Sequence, residues 1–418
     1  MTLPIGWHRS TLGEIARISS GGTPDRAEPS NWGGDVPWVT TGEIQFNTIT
    51  DTTEKITEAG LKNSSAKLFP PGTLLMAMYG QGKTRGQVAK LGIEAATNQA
   101  CAAILLPEAQ DTDFFFQYLS SQYDVIRELG NAGTQQNLSG GILKEVPVPV
   151  PPLSEQRRIA RVLSTWDQAI ATTKRLLANS RKQKQVLTHQ VLTGKRRLTR
   201  FGSSDAKRPT PYGALPADWE YRPIADFAHE VSEKLGDEQP HPVLSCTKHG
   251  GLVDSLTYFN KQVFSADTST YRVAPRNSFV YATNHIDEGS IGYQDLHDYG
   301  LVSPMYTVFK TDATMSDGYL YRLLKTEHYR QIFASATNAS VDRRGSLRWK
   351  EFKKLHVPVP PLPEQEAIGA LINIADREIE LVSVQLASLR SEKAALMAQL
   401  LTGKRRVHLS DPDEEVHT

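Results

Sequence analysis

This sequence has few cysteines, no long hydrophobic run and almost no net charge. Only Cys101 and Cys246 occur among its 418 residues, which excludes a disulfide framework and is typical of a reducing compartment. No apolar run approaches the length of a membrane-spanning helix, the N-terminal residues show no secretory signal, and no cysteine–histidine spacing matches a zinc site. We therefore expect a cytoplasmic protein of two to four domains.

The net charge is +1, but the charges are distributed unevenly. Nine basic residues and a single acidic residue, Asp205, lie between Arg181 and Thr210, whereas residues 411–415 are mostly acidic. Residues 199–214 are basic and polar and contain Pro209 and Pro211, which predicts a linker there. The acidic C-terminus predicts a solvated tail over residues 407–418.

One block of sequence occurs twice with an offset of 209 residues. Residues 148–198 match residues 357–407 without a gap, with 23 identities in 51 positions. Both copies contain Pro-Pro-Leu-x-Glu-Gln near the start and Leu-Thr-Gly-Lys-Arg-Arg near the end. This period is too long for a solenoid, so it indicates two similar halves within one chain.

Each copy predicts one long helix, over residues 155–193 and 364–402. Ser154 is a suitable N-cap, and Gly194 and Gly403 stand where a left-handed residue closes the last turn. Apolar residues recur at spacings of three and four, which is the pattern of a coiled-coil seam. At 1.5 Å per residue each helix is about 58 Å long. We expect the two helices to pair with each other in an antiparallel coiled coil.

The seam positions of the two helices match one another at the same offset. Lys184 and Lys393 interrupt the seam at equivalent places. A lysine there either fixes the register or extends its charged end into solvent. The candidate residues for helix pairing and partner docking are Leu163, Trp166, Ile170, Leu177, Leu187, Ile372, Ile379, Leu386, Leu389 and Leu396.

The remaining sequence predicts an α+β fold in which two globular mixed α/β regions are separated by the long helices, with pseudo-two-fold symmetry. The globular regions cover residues 1–150 and 215–360, and the helical segments cover 151–198 and 361–406. Both globular regions begin with Leu-Pro-x-x-Trp and then diverge. A constant frame that carries two different recognition domains is typical of this pattern.

Residues 77–84 match the loose pattern of a phosphate-binding P-loop that ends in Lys83 and Thr84. A P-loop leads directly into a helix, but residues 84–88 contain glycine and valine and predict a strand. We therefore expect a glycine-rich hairpin loop in which Lys83 and Arg85 are free to contact phosphate. A nucleotide-binding P-loop is the alternative.

Two polar segments that precede the long helices have side chains suited to nucleic acid. Gly133–Ser139 contains Gln and Asn, which form paired hydrogen bonds with adenine, and residues 340–348 contain three arginines, which bind guanine or phosphate. An ordinary surface loop is the alternative for both segments. Asn284 and His285 follow a strand predicted over residues 278–282. No nucleophile, paired carboxylates or metal-ligand pattern in the sequence indicates an active site.

Together these motifs resemble one family, the specificity subunits of type I restriction–modification systems. The similar segments are Val-Pro-x-Pro-Pro-Leu-x-Glu-Gln before each long helix, Leu-Pro-x-x-Trp at the start of each variable region, Ala96–Ala100 and Gly133–Ser139. The second half departs from the family pattern, because the arginine-rich segment replaces Gly-Thr-Gln-x-Asn-Leu-Ser there.

The resemblance implies a non-catalytic subunit that binds double-stranded DNA. Each globular region is then a target-recognition domain for one half of a bipartite sequence. The helices set the unread spacer and dock two methyltransferase subunits, which nuclease/translocase subunits join. No cofactor is expected on this chain, whereas S-adenosylmethionine and ATP with magnesium are expected on the partner subunits. The candidate DNA-binding residues are Thr40, Thr41, Gln81, Lys83, Arg85, Thr134, Gln135, Gln136, Asn137, Asn284, His285, Arg343, Arg344 and Arg348.

Two other hypotheses follow from the residues. One is a coiled-coil scaffold that does not bind DNA, because a helical seam alone does not require DNA. The other is a nucleotide-binding protein that uses Lys83. Specific binding of an assembled complex to one split DNA site, surviving moderate salt, separates the DNA-recognition hypothesis from the scaffold.

Overall fold

The computed structural model describes residues 3–80, 82–130, 137–202, 206–237, 239, 241–248, 250–338 and 345–407. The chain divides into two compact units, Met1–Arg175 with Ser383–Thr418, and Leu176–Val382. Each unit contains one mixed α/β region and a part of each long helix, so the units differ from the predicted domain boundaries, which remain a prediction. The described residues include no helix long and apolar enough to cross a membrane.

The mixed region of the first unit contains eleven strands and five short helices among its described residues. The strands β1 to β11 are His8–Thr11, Arg17–Ser20, Trp32–Val39, Thr48–Ile49, Glu54–Ile56, Leu68–Phe69, Leu74–Ala77, Val88–Leu91, Ala95–Thr97, Cys101–Leu105 and Pro147–Val150. The helices α1 to α5 are Leu12–Ile15, Glu58–Lys62, Thr112–Ser121, Tyr123–Leu129 and Gly140–Lys144, and the long helix α6 is Leu153–Leu192.

Three sheets form in this region, with strand orders β2-β10-β7-β8-β4, β5-β3-β9-β6 and β1-β11. The central strands β7 and β10 are apolar throughout because both of their faces are covered. Leu74 and Met76 lie in one core cluster, whereas Leu75 and Ala77 lie in another. Cys101 is buried beside Leu75 and Ala77, as its apolar surroundings in the sequence predict.

The second unit contains the remaining strands and short helices, and α11 is shared between the two units. The strands β12 to β23 are Lys207–Thr210, Gly213–Pro216, Glu220–Pro223, Ala228–Val231, Leu244–Thr247, Gly251–Asp254, Arg272–Pro275, Ser278–Ala282, Ile291–Gln294, Tyr299–Val302, Tyr306–Thr311 and His356–Val359. The helices α7 to α10 are Ser255–Phe259, Asp317–Leu324, Glu327–Asn338 and Trp349–Phe352, and the long helix α11 is Leu362–Leu400. Its largest sheet has the order β15-β22-β19-β20, and the other pairs are β12-β13, β14-β23, β16-β17 and β18-β21.

The repeated Val-Pro-Val forms an equivalent strand in both units. In the first, β11 pairs antiparallel with β1, so that Val150 lies opposite His8. In the second, β23 pairs antiparallel with β14, so that Val359 lies opposite Glu220. The strand that follows Leu-Pro-x-x-Trp thus pairs with the strand that precedes each long helix, which places both motifs at the base of the mixed region.

The long helices agree with the predicted spans to within two residues and pair antiparallel. In the first unit, Asp167 of α6 contacts Lys393 of α11, whereas Glu155, nearer the start of α6, contacts Arg406 beyond the end of α11. In the second, Lys184 contacts Asp376. Because low residue numbers on α6 face high numbers on α11, the helices run in opposite directions.

Two local sequence predictions differ from the structure. Helix α6 begins at Leu153, so Ser154 lies inside its first turn and is not the N-cap. The predicted linker contains an antiparallel pair of strands, β12 and β13, because Lys207–Thr210 and Gly213–Pro216 hydrogen bond to each other. The left-handed residues that follow the helices are as predicted, since Gly194 and Gly403 have φ of +66° and +72°.

One buried cluster repeats at the base of each unit. Trp7 Nε1 donates a 2.9 Å hydrogen bond to Glu155 Oε2, and Arg406 donates to both oxygens of the same carboxylate. The equivalent residues of the second unit are Trp219, Glu364 and Arg197. The hydrogen bonds to the glutamates raise the pKa of Arg406 and of Arg197. The duplicated Trp, Glu-Gln and Lys-Arg-Arg motifs therefore meet in space and join each mixed region to the ends of its helices.

Candidate nucleic-acid interface

The hairpin loop of the first unit joins β7 to β8, which pair antiparallel. A strand follows the loop, so the context of a P-loop is absent and the predicted hairpin is present. Gly80, Gly82 and Gly86 all have positive φ, which only glycine adopts without strain. These glycines let the chain reverse direction in a tight, basic loop.

Helix α4 anchors this loop from one side. The Tyr123 hydroxyl donates a 2.6 Å hydrogen bond to the Lys83 carbonyl oxygen, and the Arg127 guanidinium donates to the Gly82 carbonyl oxygen. The Arg127 guanidinium also donates to the Tyr123 oxygen at 3.0 Å. The loop backbone is thus held, while the Lys83 side chain is exposed and Tyr79 is 42% exposed.

Arg85 does not have the position that the sequence predicts. Arg85 is only 6% exposed, so it is buried within the first unit and does not extend into solvent. The prediction that Arg85 is free to meet phosphate is therefore wrong, and Lys83 is the exposed cation of this loop. Gln81 lies outside the described residues.

Backbone hydrogen bonds join two further segments to the hairpin loop, and one of these segments to the Thr40 turn. Asn98 N donates to Val39 O at 3.0 Å, Met78 N donates to Ala100 O at 2.8 Å, and Leu138 N donates to Met78 O at 3.0 Å. These bonds place the Thr40 turn, residues 98–100 and the segment that begins at Asn137 side by side. The sequence predicted each segment singly but not their adjacency.

Not every predicted side chain in this group is available. The Thr40 hydroxyl hydrogen bonds to Glu43 within a short turn, and Thr40 and Thr41 are half-buried. Asn137 is exposed, and Ser139 caps α5 by accepting a hydrogen bond from Ile142 N. Thr134, Gln135 and Gln136 lie outside the described residues. Gln99 is also an exposed amide in this group. It was not among the predicted DNA-binding residues, although it belongs to the family-like segment Ala96–Ala100.

The second unit repeats the junction with different residues. Leu347 N donates a 2.8 Å hydrogen bond to Thr283 O, and Leu347 lies 209 positions after Leu138. Thr283 follows β19, just as Met78 follows β7. A hairpin loop and the segment before a long helix therefore meet at the same place in both units, although their sequences are unrelated.

The loop between β19 and β20 is held by a lysine. Lys325 Nζ donates to the carbonyl oxygens of Gly289 at 2.8 Å and Lys248 at 2.9 Å, and burial lowers the pKa of this amine. Asn284 and His285 are exposed, and His285 Nδ1 lies 3.2 Å from Glu288. Arg348 is exposed at the start of α10, whereas Arg343 and Arg344 lie outside the described residues.

The predicted seam residues are buried or half-buried in both helices, and residues on the other helix faces are mostly exposed. The group comprises Leu163, Trp166, Ile170, Leu177, Leu187, Ile372, Ile379, Leu386, Leu389 and Leu396. The seam lysines are paired: Lys393 Nζ lies 2.6 Å from Asp167, and Lys184 contacts Asp376. The pairing favours the interpretation that these lysines fix the register.

Each of these aspartates also contacts its mixed region. Gln117 of α3 donates a 2.6 Å hydrogen bond to Asp167, and Arg322 of α8 lies 2.9 Å from Asp376. One carboxylate in each unit therefore ties the paired helices to a helix of the mixed region. No cluster of metal-ligating side chains occurs within the described part of the chain.

Comparison with known proteins gives one family. A family model described as "Type I restriction modification DNA specificity domain" matches residues 4–179 and again 216–390. The two matches contain both mixed regions and most of both long helices. They therefore reproduce the duplication that the sequence repeat indicates.

Individual relatives are more distant. The chain is 22% identical over 440 residues to the EcoDI specificity subunit of Escherichia coli, covering 96% of this chain and 89% of that protein. It is 28% identical over 190 residues to the MjaIX specificity subunit of Methanocaldococcus jannaschii, covering 44% of this chain and 42% of the relative's length.

The fold is also that of a solved protein. The crystal structure of a type I restriction–modification S subunit from M. genitalium has a TM-score of 0.57 and 16% identity, covering 98% of this chain and 99% of that one. At this identity the likeness concerns the fold alone.

Proposed function

Because the chain belongs to the family of type I restriction–modification DNA specificity proteins, we propose that it is the DNA-recognition subunit of such a complex. Each mixed region binds one half of a bipartite target. The observation that carries this proposal is the repeated junction of a hairpin loop with the segment before a long helix, at Met78–Leu138 and Thr283–Leu347. Two different half-sites require different residues at the two junctions, while the long helices that carry the junctions stay alike.

The residues at the junctions fit DNA by their chemistry. Lys83 supplies a mobile cation for a phosphate, whereas Asn137 supplies an amide with donor and acceptor for a base edge. In the second unit, Asn284 and Arg348 supply the same two kinds of contact. Phosphate contacts position the duplex and base contacts specify the sequence. Each junction therefore has one residue suited to each kind of contact.

The remaining tasks belong to partner subunits. The paired helices set the length of DNA between the half-sites and dock two methyltransferase subunits, which nuclease/translocase subunits join. This chain is non-catalytic. S-adenosylmethionine and ATP with magnesium bind to the partners. The hairpin loop of this chain leads into strand β8, whereas a nucleotide-binding P-loop leads into a helix.

Two side chains of the first junction test the proposal. In the assembled complex, Lys83→Ala should weaken binding to target and unrelated duplexes alike and reduce the slope of log affinity against log salt by about one. Asn137→Ala should reduce discrimination at one half-site by about 1–3 kcal/mol and leave the other unchanged. Lys62→Ala, which removes an exposed lysine of α2, is the control and should change neither.

The outcome that contradicts the proposal is an assembled complex that binds all duplexes equally, with or without these substitutions. That result favours the scaffold hypothesis. Measurable ATP binding that Lys83→Ala abolishes would instead support the nucleotide-binding hypothesis.

A further inference from the structure

The two long helices are copies of each other but carry opposite charge. Helix α6 contains eight basic and two acidic residues, whereas α11 contains three basic and six acidic residues. The seam, the terminal glycines and the ion-pairing Asp and Lys positions are retained in both copies. The exposed charges have therefore changed while the frame has not, which indicates that one helix meets something that its copy does not.

Three arginines form one exposed face of α6 within the first unit. Arg157 and Arg175 are 18 residues apart, which is five helical turns, so they point in the same direction. Arg161 lies about 40° from that direction, and the seam residues point to the opposite side. The face extends over about 27 Å.

No other described residue engages these arginines. Their side chains are exposed, and they form no hydrogen bond or ion pair with the part of the chain that the structure describes. Arg157 and Arg161 are like charges at i and i+4, a spacing that weakens a helix slightly, and none of the three arginines lies in the seam. Binding of an anion from outside this chain explains these arginines better than a role in the stability of the fold does.

The equivalent positions on α11 carry no basic residue. At an offset of 209 residues they are Glu366, Ala370 and Val384. Subunits that dock in two identical copies on a duplicated frame need similar residues in both copies. A partner that is present once has no such requirement, and a DNA duplex is both present once and strongly anionic.

We propose that the arginine face of Arg157, Arg161 and Arg175 binds phosphates of the unread DNA spacer. This inference rests on the proposed function, because it needs a duplex that both mixed regions engage. A face of about 27 Å is shorter than one turn of B-DNA, which is about 34–36 Å. Lone arginines on phosphates add affinity without sequence preference.

The test replaces the three arginines by glutamine, which has similar helix propensity. The affinity of the assembled complex is measured between 50 and 200 mM salt for two duplexes. One contains the split target found by methylation mapping, and the other has an unrelated sequence. The slope of log affinity against log salt should become shallower by about 2.7, since each lost phosphate contact removes about 0.9. The preference for the target sequence should persist. Arg175→Gln alone should remove about 0.9.

The control removes the same charge from the second copy of the frame. Arg377→Gln, Arg390→Gln and Lys404→Gln together should leave the slope unchanged. An unaltered slope in the α6 variant overturns the proposal, as does an equal decrease in the control, which would reflect net charge alone. Loss of a copurifying partner subunit or of self-association in the α6 variant also overturns it, because the face is then a protein interface.

Failure of the proposed function itself is a separate result. If the unmodified complex shows no preference for any split duplex, the recognition role is contradicted. If that preference is present and the salt slope is unaffected by the arginines, only the inference about the α6 face is contradicted.

Discussion

Trp7 and Glu155 are 148 residues apart and are joined by a 2.9 Å hydrogen bond from the indole nitrogen to the carboxylate. Trp219 and Glu364 are joined by an equivalent bond of 3.1 Å. In each case an arginine of the repeated Lys-Arg-Arg pairs with the same carboxylate. The repeated motifs of the sequence thus join each mixed region to the ends of the long helices.

Removing one glutamate charge should destabilise the second unit more than the first. The Arg197 side chain is 9% exposed, whereas Arg406 is 38% exposed, so only Arg197 would be left as a buried cation, with the 47% exposed Asp218 as its remaining partner. We expect Glu364→Gln to lower the free energy of unfolding by about 3 kcal/mol and Glu155→Gln by about 1–2 kcal/mol. Urea denaturation followed by tryptophan fluorescence measures both. Exposed Glu94→Gln is the control, and equal effects of the first two substitutions would contradict the account.

Gly194 should tolerate alanine poorly for two separable reasons. Its φ is +66°, and an added Cβ would lie 2.7 Å from Pro216 Cγ. Gly202 has a φ of +74° with no atom within 4 Å of its added Cβ, so Gly202→Ala isolates the backbone strain. We expect Gly202→Ala to cost about 1 kcal/mol and Gly194→Ala at least about 1 kcal/mol more. Thermal denaturation of both variants measures the two losses of stability. Equal losses would show that the contact with Pro216 is unimportant.

The seam lysines should be coupled to their aspartates. Lys393 is 15% exposed and lies 2.6 Å from Asp167, so loss of either partner leaves a charge in a partly apolar seam. A double-mutant cycle with Asp167→Asn and Lys393→Met should give a coupling free energy of about 1 kcal/mol. Additive effects of the two substitutions would show that the pair does not fix the register.

The hairpin loop should lose part of its function when its anchor is removed. Tyr123→Phe deletes the hydroxyl that donates to Lys83 O, and we expect about fivefold weaker binding at one half-site only, which corresponds to roughly 1 kcal/mol. Tyr118→Phe removes a comparable 3.0 Å bond to Pro147 O away from the loop and is the matched control. Binding assays with duplexes mutated in one half-site measure the effect. Equal losses in both variants would indicate general destabilisation.

The fold was predictable where periodicity or repetition carried the information. The spacing of Leu163, Ile170 and Leu177 indicated the seam, and the constant offset indicated the second helix. Position alone misled for Arg85, because a side chain's direction after a glycine turn depends on the tertiary structure. The hairpin β12–β13 was missed because basic, proline-containing strands lack an alternating apolar pattern.

The candidate site was only partly accessible from the sequence. Lys83 and Asn137 were predicted as separate loop residues, but the meeting of their segments depends on backbone bonds between Met78, Ala100 and Leu138. Such bonds join segments that are distant in sequence and leave no local pattern. The Trp7–Glu155–Arg406 cluster was missed for the same reason, although all of its members belong to repeated motifs.

The DNA-recognition role can be tested by mapping adenine methylation in cells that express this chain with a methyltransferase subunit. We expect one split motif with a fixed unread gap. Exchanging residues 215–360 for the corresponding region of another family member should change one half of the motif and leave the other half intact. A methylation pattern without a split motif that depends on this chain, or one in which the exchange alters both halves together, would contradict that role.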